Sequence, residues 1–92
     1  MNVDISHFLD QENKIKVWPS KKDKKLEVLS YLSTKFESGR SYTEKEVNQV
    51  IESWHTFGDY FLLRRGLVDY HFLSRTKSGS SYWKEDDVSI SD

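Results

Sequence analysis

Apolar side chains return along this chain at helical spacing three times, and then give way to short alternating runs. In "WPSKKDKKLEVLSYLSTKF", Leu26, Leu29, Leu32 and Phe36 recur every three or four positions with Val28 beside them. That spacing predicts an amphipathic helix. Pro19 resists a helix interior, Ser20 can cap the first turn, and Asp23 three residues on completes a box-like start. Gly39 in "ESGR" suits the left-handed residue beyond a helix end.

The second helix is marked most sharply. In "SYTEKEVNQVIESW", Thr43 stands at the N-cap and Glu46 at the third helical position, so each side chain can satisfy the other's free backbone N–H. Tyr42 and Val47 occupy the two positions of a hydrophobic staple, and Val47, Val50, Ile51 and Trp54 form one apolar face. A third helix begins at "HTFGDY", where Thr56 and Asp59 repeat the cap-and-acid spacing. Its inward side should carry Tyr60, Leu63, Leu67 and Tyr70. Gly66 inside it costs roughly 1 kcal/mol of helix propensity and points to close packing.

"FLSRTKSGSSYWKE" then reads as two short strands around a Lys-Ser-Gly-Ser turn. The alternation in "KIKVWP" allows one more short strand near residues 14–18. Helix, helix, helix and hairpin, with a leading strand, is the order of a winged-helix domain of the α+β class, and "HTFG" is short enough for a helix-turn-helix.

Composition narrows the picture. Ninety-two residues support one core, and a chain of this size buries only about 60–65% of its unfolded surface. Thirteen aromatics (three Trp, five Tyr, five Phe) supply that core. The domain is expected over residues 1–84, with the acidic stretch "EDDVSISD", 85–92, as a disordered tail. No apolar run approaches the roughly 18 residues that cross a bilayer, which argues against membrane partners. "MNVDISHFLDQ" has neither a basic start nor an apolar signal core, and there is no cysteine, so a cytoplasmic location is expected.

The net charge of −1 hides a polarity: residues 14–84 carry all fourteen Lys and Arg against eight Asp and Glu, for +6. Duplex DNA is therefore an admissible partner, although ordinary surface charge explains the same numbers.

Several pieces, "WPSK", "GRSYTEKEVN", "DYFLLRR" and "SGSSYW", together resemble the bacterial domain of unknown function 2087, over about residues 8–83. The resemblance implies a winged-helix module. Members stand alone or joined to DNA-binding repressor domains of the arsenic-repressor type, and are described as transcriptional regulators without an established activity. Phe61 and Gly66 depart from the expected pattern, a smaller residue and a helix former being usual there.

Each candidate site has a plain reading beside the functional one. Lys21, Lys22, Lys24 and Lys25 can rest on a phosphate backbone, or snorkel as a solvated face over Trp18. Arg65 points away from the expected core and can reach a base edge or phosphate, or it can pair with a nearby acid. Arg64, nearer the core edge, reads more readily as structural. Arg75 and Lys77 would make a short basic wing tip, and Arg40 stands in the loop before the second helix. Phe61, Leu62 and Val68 surround Arg65 on the third helix's outer face, an apolar set that fits a protein interface better than a DNA groove. The chain's own Phe8 and Leu9 folding back is the first expected cover for it, and a homodimer or a partner regulator the second.

His55 and Asp59 share a spacing that a metal pair could use, but no third ligand has matching spacing. With no phosphate loop and no nucleophile motif, neither catalysis, metal nor cofactor is expected.

Overall fold

The computed structural model describes residues 5–84. The expected acidic tail, 85–92, lies outside the described residues. After a 3₁₀ turn at Ser6–Phe8, the elements are α1 (Lys22–Ser33), β1 (Ser41–Tyr42), α2 (Glu44–Ser53), α3 (Tyr60–Asp69), β2 (Ser74–Arg75) and β3 (Tyr82–Trp83). The strands form one antiparallel sheet in the order β1-β3-β2. The described chain is therefore an α+β fold of three helices and a three-stranded sheet.

The expected strand near 14–18 does not join that sheet. Ile15 is fully buried and makes isolated bridges with Leu9 and His55. Its N–H donates to the Trp54 carbonyl (2.8 Å), and its own carbonyl accepts from the Thr56 N–H (3.0 Å). The segment thus clamps the connection between α2 and α3. The third strand comes instead from Ser41 and Tyr42, paired with Trp83 and Tyr82. Two residues are too short for alternation to announce a strand. Tyr42 is held there by its ring, edge-on to Phe36 (5.2 Å), and by its hydroxyl, which accepts the Glu37 N–H (2.8 Å).

α1 departs from its expected frame at both ends. Lys21 is the cap residue and Ser20 makes no cap, because burial of Pro19 and packing of Trp18 on the body fix where the chain enters the helix. At the other end, the Ser33 hydroxyl donates to Ser30 O (2.7 Å) and the Thr34 hydroxyl to Tyr31 O (2.6 Å). Such back-bonding competes with the helical ladder. The helix therefore stops well before Gly39, whose φ of +80° serves the turn into β1. Val28, Leu29 and Leu32 face the core, whereas Leu26 is only half-buried and lies at the edge of that face.

α2 follows its sequence closely. The Glu46 N–H donates to Thr43 Oγ1 (3.1 Å), and the Thr43 N–H to Glu46 Oε1 (2.9 Å), which is the expected reciprocal cap. α3 begins later than Thr56 suggests. Asp59 is the cap, accepting the Leu62 N–H (3.1 Å). The turn before it is organised by the buried His55, whose Nε2 accepts the Asp59 N–H (3.0 Å) and whose Nδ1 lies 2.7 Å from Ile51 O.

Leu63 and Leu67 are fully buried, with Tyr60 and Tyr70 half-buried against the same core. Gly66 sits where α3 crosses α1: an added Cβ would lie 3.1 and 3.3 Å from the Leu29 methyls. α3 closes with His71 at φ +67°, the His71 N–H on Val68 O (3.0 Å) and the Phe72 N–H on Leu67 O (2.8 Å). These are the two bonds of a Schellman ending.

Candidate nucleic-acid interface

The outward side of α3 and the β2–β3 hairpin enclose an open groove of about 430 Å³. α3 lines it with Phe61, Arg64, Arg65, Val68 and Asp69, and the hairpin with Arg75, Ser78, Gly79 and Tyr82. Spacing of about 100° per residue puts 61, 65 and 68 on one stripe, which inward packing of Leu63 and Leu67 turns toward the hairpin. The hairpin loop is held by Thr76, whose hydroxyl accepts the Ser80 and Ser81 N–H groups (3.1 and 3.2 Å). Gly79 takes φ +77° at its tip.

The three groove arginines are not equivalent. Arg64 is 14% exposed: its Nη1 donates to Asn48 Oδ1 (2.6 Å) and lies 3.4 Å from Glu44 Oε2. Its guanidinium also approaches the Tyr60 and Phe61 rings (5.9 and 5.3 Å). Arg64 therefore ties α3 to α2, the structural role its position suggests. Arg65 is 69% exposed and only loosely paired, 3.5 Å from Asp69. Such an exposed pair contributes about 0–1 kcal/mol, so a phosphate can compete for it. Arg75 is exposed, with its guanidinium on the neighbouring Thr76 carbonyl (3.3 Å), and Lys77 is exposed on the hairpin loop.

The other cations do not join this groove. Lys22 lies over the Tyr70 ring (5.9 Å) and Lys25 over the Trp18 ring (5.7 Å), the snorkelling arrangement. Lys24 is 3.6 Å from Glu27, and Lys21 is exposed at the α1 cap. Arg40 stacks on Tyr42 (4.6 Å) and borders a different depression, with Glu46, Gln49 and Ser53. Those three residues lie across α2 from Glu44 and Asn48, which meet α3. The charge contributed by Arg40 thus faces away from Arg65.

The apolar part of the outer face is not covered by Phe8 and Leu9 as expected. The Phe8 carbonyl accepts the Lys16 N–H (2.8 Å) and Leu9 bridges Ile15, while Phe61 stays 54% exposed. Leu62 and Val68 are half-buried. Glu44 and Asn48, the partners of Arg64, were not among the expected site residues. They lie twenty and sixteen positions away in sequence, and no local pattern announces the pairing.

The His55–Asp59 pair is not poised for a metal. With Nε2 accepting the Asp59 N–H, the proton sits on Nδ1 and donates to Ile51 O, so both ring nitrogens are occupied. Among the described residues, no group of three or more His, Asp or Glu could hold a metal ion, and no helix is long and apolar enough to cross a membrane.

Residues 14–84 match the model of a family described as an uncharacterized protein conserved in bacteria, DUF2087. No curated protein and no solved structure matches the chain.

Proposed function

This chain belongs to the bacterial family DUF2087, and from that footing we propose that it is a winged-helix-like domain that regulates transcription by binding duplex DNA. The observation that carries the reading is the shared groove, in which α3 and the hairpin present Arg65 and Arg75 together, with Lys77 on the same loop. The element order supports it, with the helix pair α2–α3 followed directly by the β2–β3 hairpin. α3 would lie near the major groove with Arg65 directed at base edges or phosphate, while Arg75 and Lys77 meet flanking phosphates. Arg64, in the wall of the groove, braces α3 against α2. Under this reading the protein is a cytoplasmic regulator that needs neither catalysis nor a cofactor.

The charge inventory makes the proposal quantitative. Each neutralised phosphate contributes a slope of about −0.9 to log affinity against log salt. Arg65, Arg75 and Lys77 acting alone should give about −3, whereas engagement of all nine candidate cations would give about −8. Fluorescence anisotropy on a random duplex across a salt series measures that slope. No binding at micromolar protein and low salt would remove the DNA reading.

A second reading rests on the exposure of Phe61. An aromatic ring beside Leu62, Arg65 and Val68 has the make-up of a protein-binding patch, for a second copy or a partner regulator. Phe61→Ala should then reduce self-association in light scattering and leave DNA affinity unchanged. A protein that is monomeric at high concentration excludes the homodimer.

A further inference from the structure

The groove between α3 and the hairpin has a notch at Gly79, which the proposed DNA contact shares only through Arg75. A Cβ added to Gly79 would stand 3.4 Å from Arg75 Nη1, 3.8 Å from Glu44 Oε1 and 3.8 Å from the Tyr82 hydroxyl. Strand pairing brings these groups together. Arg75 and Tyr82 are directly opposed in the β2–β3 pair, so their side chains leave the same face of the hairpin. Tyr82 also pairs with Tyr42 of β1, and α2 starts just beyond it at Glu44.

Hydrogen bonding at the notch is incomplete. Tyr82 is 4% exposed and its ring belongs to the core, yet its hydroxyl borders the groove and makes no hydrogen bond among the described residues. A buried phenol normally has a partner, so a hydroxyl in this state favours an arriving one. Glu44 spends Oε2 on Arg64 (3.4 Å) and turns Oε1 to the notch. Among the described residues Arg75 meets only the Thr76 carbonyl, whereas Arg64 and Arg65 each face a carboxylate. A guanidinium and a carboxylate oxygen therefore face one point without pairing.

We propose that this notch binds a free α-amino acid with an apolar side chain. Its carboxylate would accept from Arg75 and the Tyr82 hydroxyl, and its ammonium would donate to Glu44 Oε1. Its side chain would lie along Val68 and Phe61, the apolar part of the same groove. Charge selects this class. A bare anion would meet Glu44 and a bare amine would meet Arg75, each an uncompensated like-charge contact. A zwitterion satisfies both groups and leaves the net charge of the groove unchanged. Size agrees, since about 430 Å³ falls within the range of about 300–1,000 Å³ usual for small-molecule sites.

An NMR titration of the full chain with L-leucine, in the absence of DNA, tests this. Saturable shifts are expected at Glu44, Val68, Gly79 and Tyr82, with a dissociation constant of about a millimolar or below. Isocaproate lacks the ammonium and isoamylamine lacks the carboxylate, and each should bind more weakly by about ten-fold or more. Tyr82→Phe keeps the buried ring and deletes only the hydroxyl, while Arg75→Gln alters an exposed side chain. Each should weaken leucine binding about ten-fold. No saturable shift at about 20 mM leucine overturns the proposal. So does isocaproate or inorganic phosphate binding as tightly as leucine, the mark of a plain anion site, and so does leucine binding that both substitutions leave unchanged. Failure of duplex binding in the salt series would leave the leucine shifts in place, so the two readings fail separately.

Discussion

Replacing Gly66 by alanine sets two terms of similar size against each other, and the structure says which should win. In an exposed helix interior the change would stabilise α3 by about 0.8–1 kcal/mol, since alanine loses less backbone freedom on folding. At this position the new methyl meets the two Leu29 methyls at 3.1 and 3.3 Å and the Trp18 ring at 3.6 Å. Leu29 is fully buried, so it cannot swing into solvent and must press on its neighbours. Overpacking of that kind typically costs about 1–3 kcal/mol. The balance is a net loss of about 1 kcal/mol, or a fall in Tm of about 4–8 °C for a domain of this size. Urea denaturation should show a lower midpoint with an unchanged slope. A double-mutant cycle with Leu29→Ala isolates the cause. Leu29→Ala alone should cost about 2–5 kcal/mol, and less by about 1 kcal/mol once the methyl added by Gly66→Ala helps fill the cavity. If Gly66→Ala instead stabilises the protein, or if the two changes are additive within about 0.5 kcal/mol, the close approach of α1 and α3 through Leu29 is wrong.

Other positions give sharper signs. His71 occupies the left-handed residue of the α3 ending, so His71→Gly should stabilise the protein by about 1 kcal/mol in thermal unfolding. Arg64→Ala strands Asn48 and Glu44 and should cost about 1–3 kcal/mol, whereas Arg65→Ala should stay within about 0.5 kcal/mol and lose DNA affinity instead. Asp10 accepts the Lys14 and Glu12 N–H groups, and these bonds, that from Lys14 foremost, hold its carboxyl below the ordinary 3.8. A carboxyl depressed on folding contributes stability above its unfolded value and loses it as pH falls through the folded one. The stability gap to Asp10→Ala should accordingly narrow on acidification, with a carbon-detected titration midpoint under 3.8.

What can be read from the sequence is what is decided within four residues. The cap of α2 is a Thr–Glu exchange between neighbours in the chain, and both bonds form as written. The inward set of α3 follows from helical periodicity and needs no partner to be identified. Expectation and structure part where a distant group overrules a local signal. Thr56 has the spacing of a cap, yet His55, buried against Ile51 and bridged to Ile15, sets the turn and leaves the capping to Asp59. "KIKVWP" alternates like a strand, yet the burial of Ile15 beside Trp54 directs its backbone bonds to the α2–α3 connection. β1 escapes a sequence reading because two residues carry no period.

The candidate site is harder to read than the fold for a related reason: charge in a sequence is counted singly, but on a surface it acts in pairs. The groove has five charged lining residues, three arginines against Glu44 and Asp69, which leaves it only weakly positive. The +6 of residues 14–84 is spread over at least three separate places: this groove, the α1 start near Trp18 and Tyr70, and the far side of α2. A domain arranged in this way cannot rely on a broad electrostatic field to find duplex DNA, because charges on opposite sides of a small body beyond about 8–10 Å are screened at physiological salt. Under the DNA reading, binding must be carried by the few cations at the hairpin and Arg65. The measured salt slope therefore decides more than the affinity does. A value near −3 would assign the interaction to this groove, while a value near −8 would require faces that the fold holds apart to engage the same duplex.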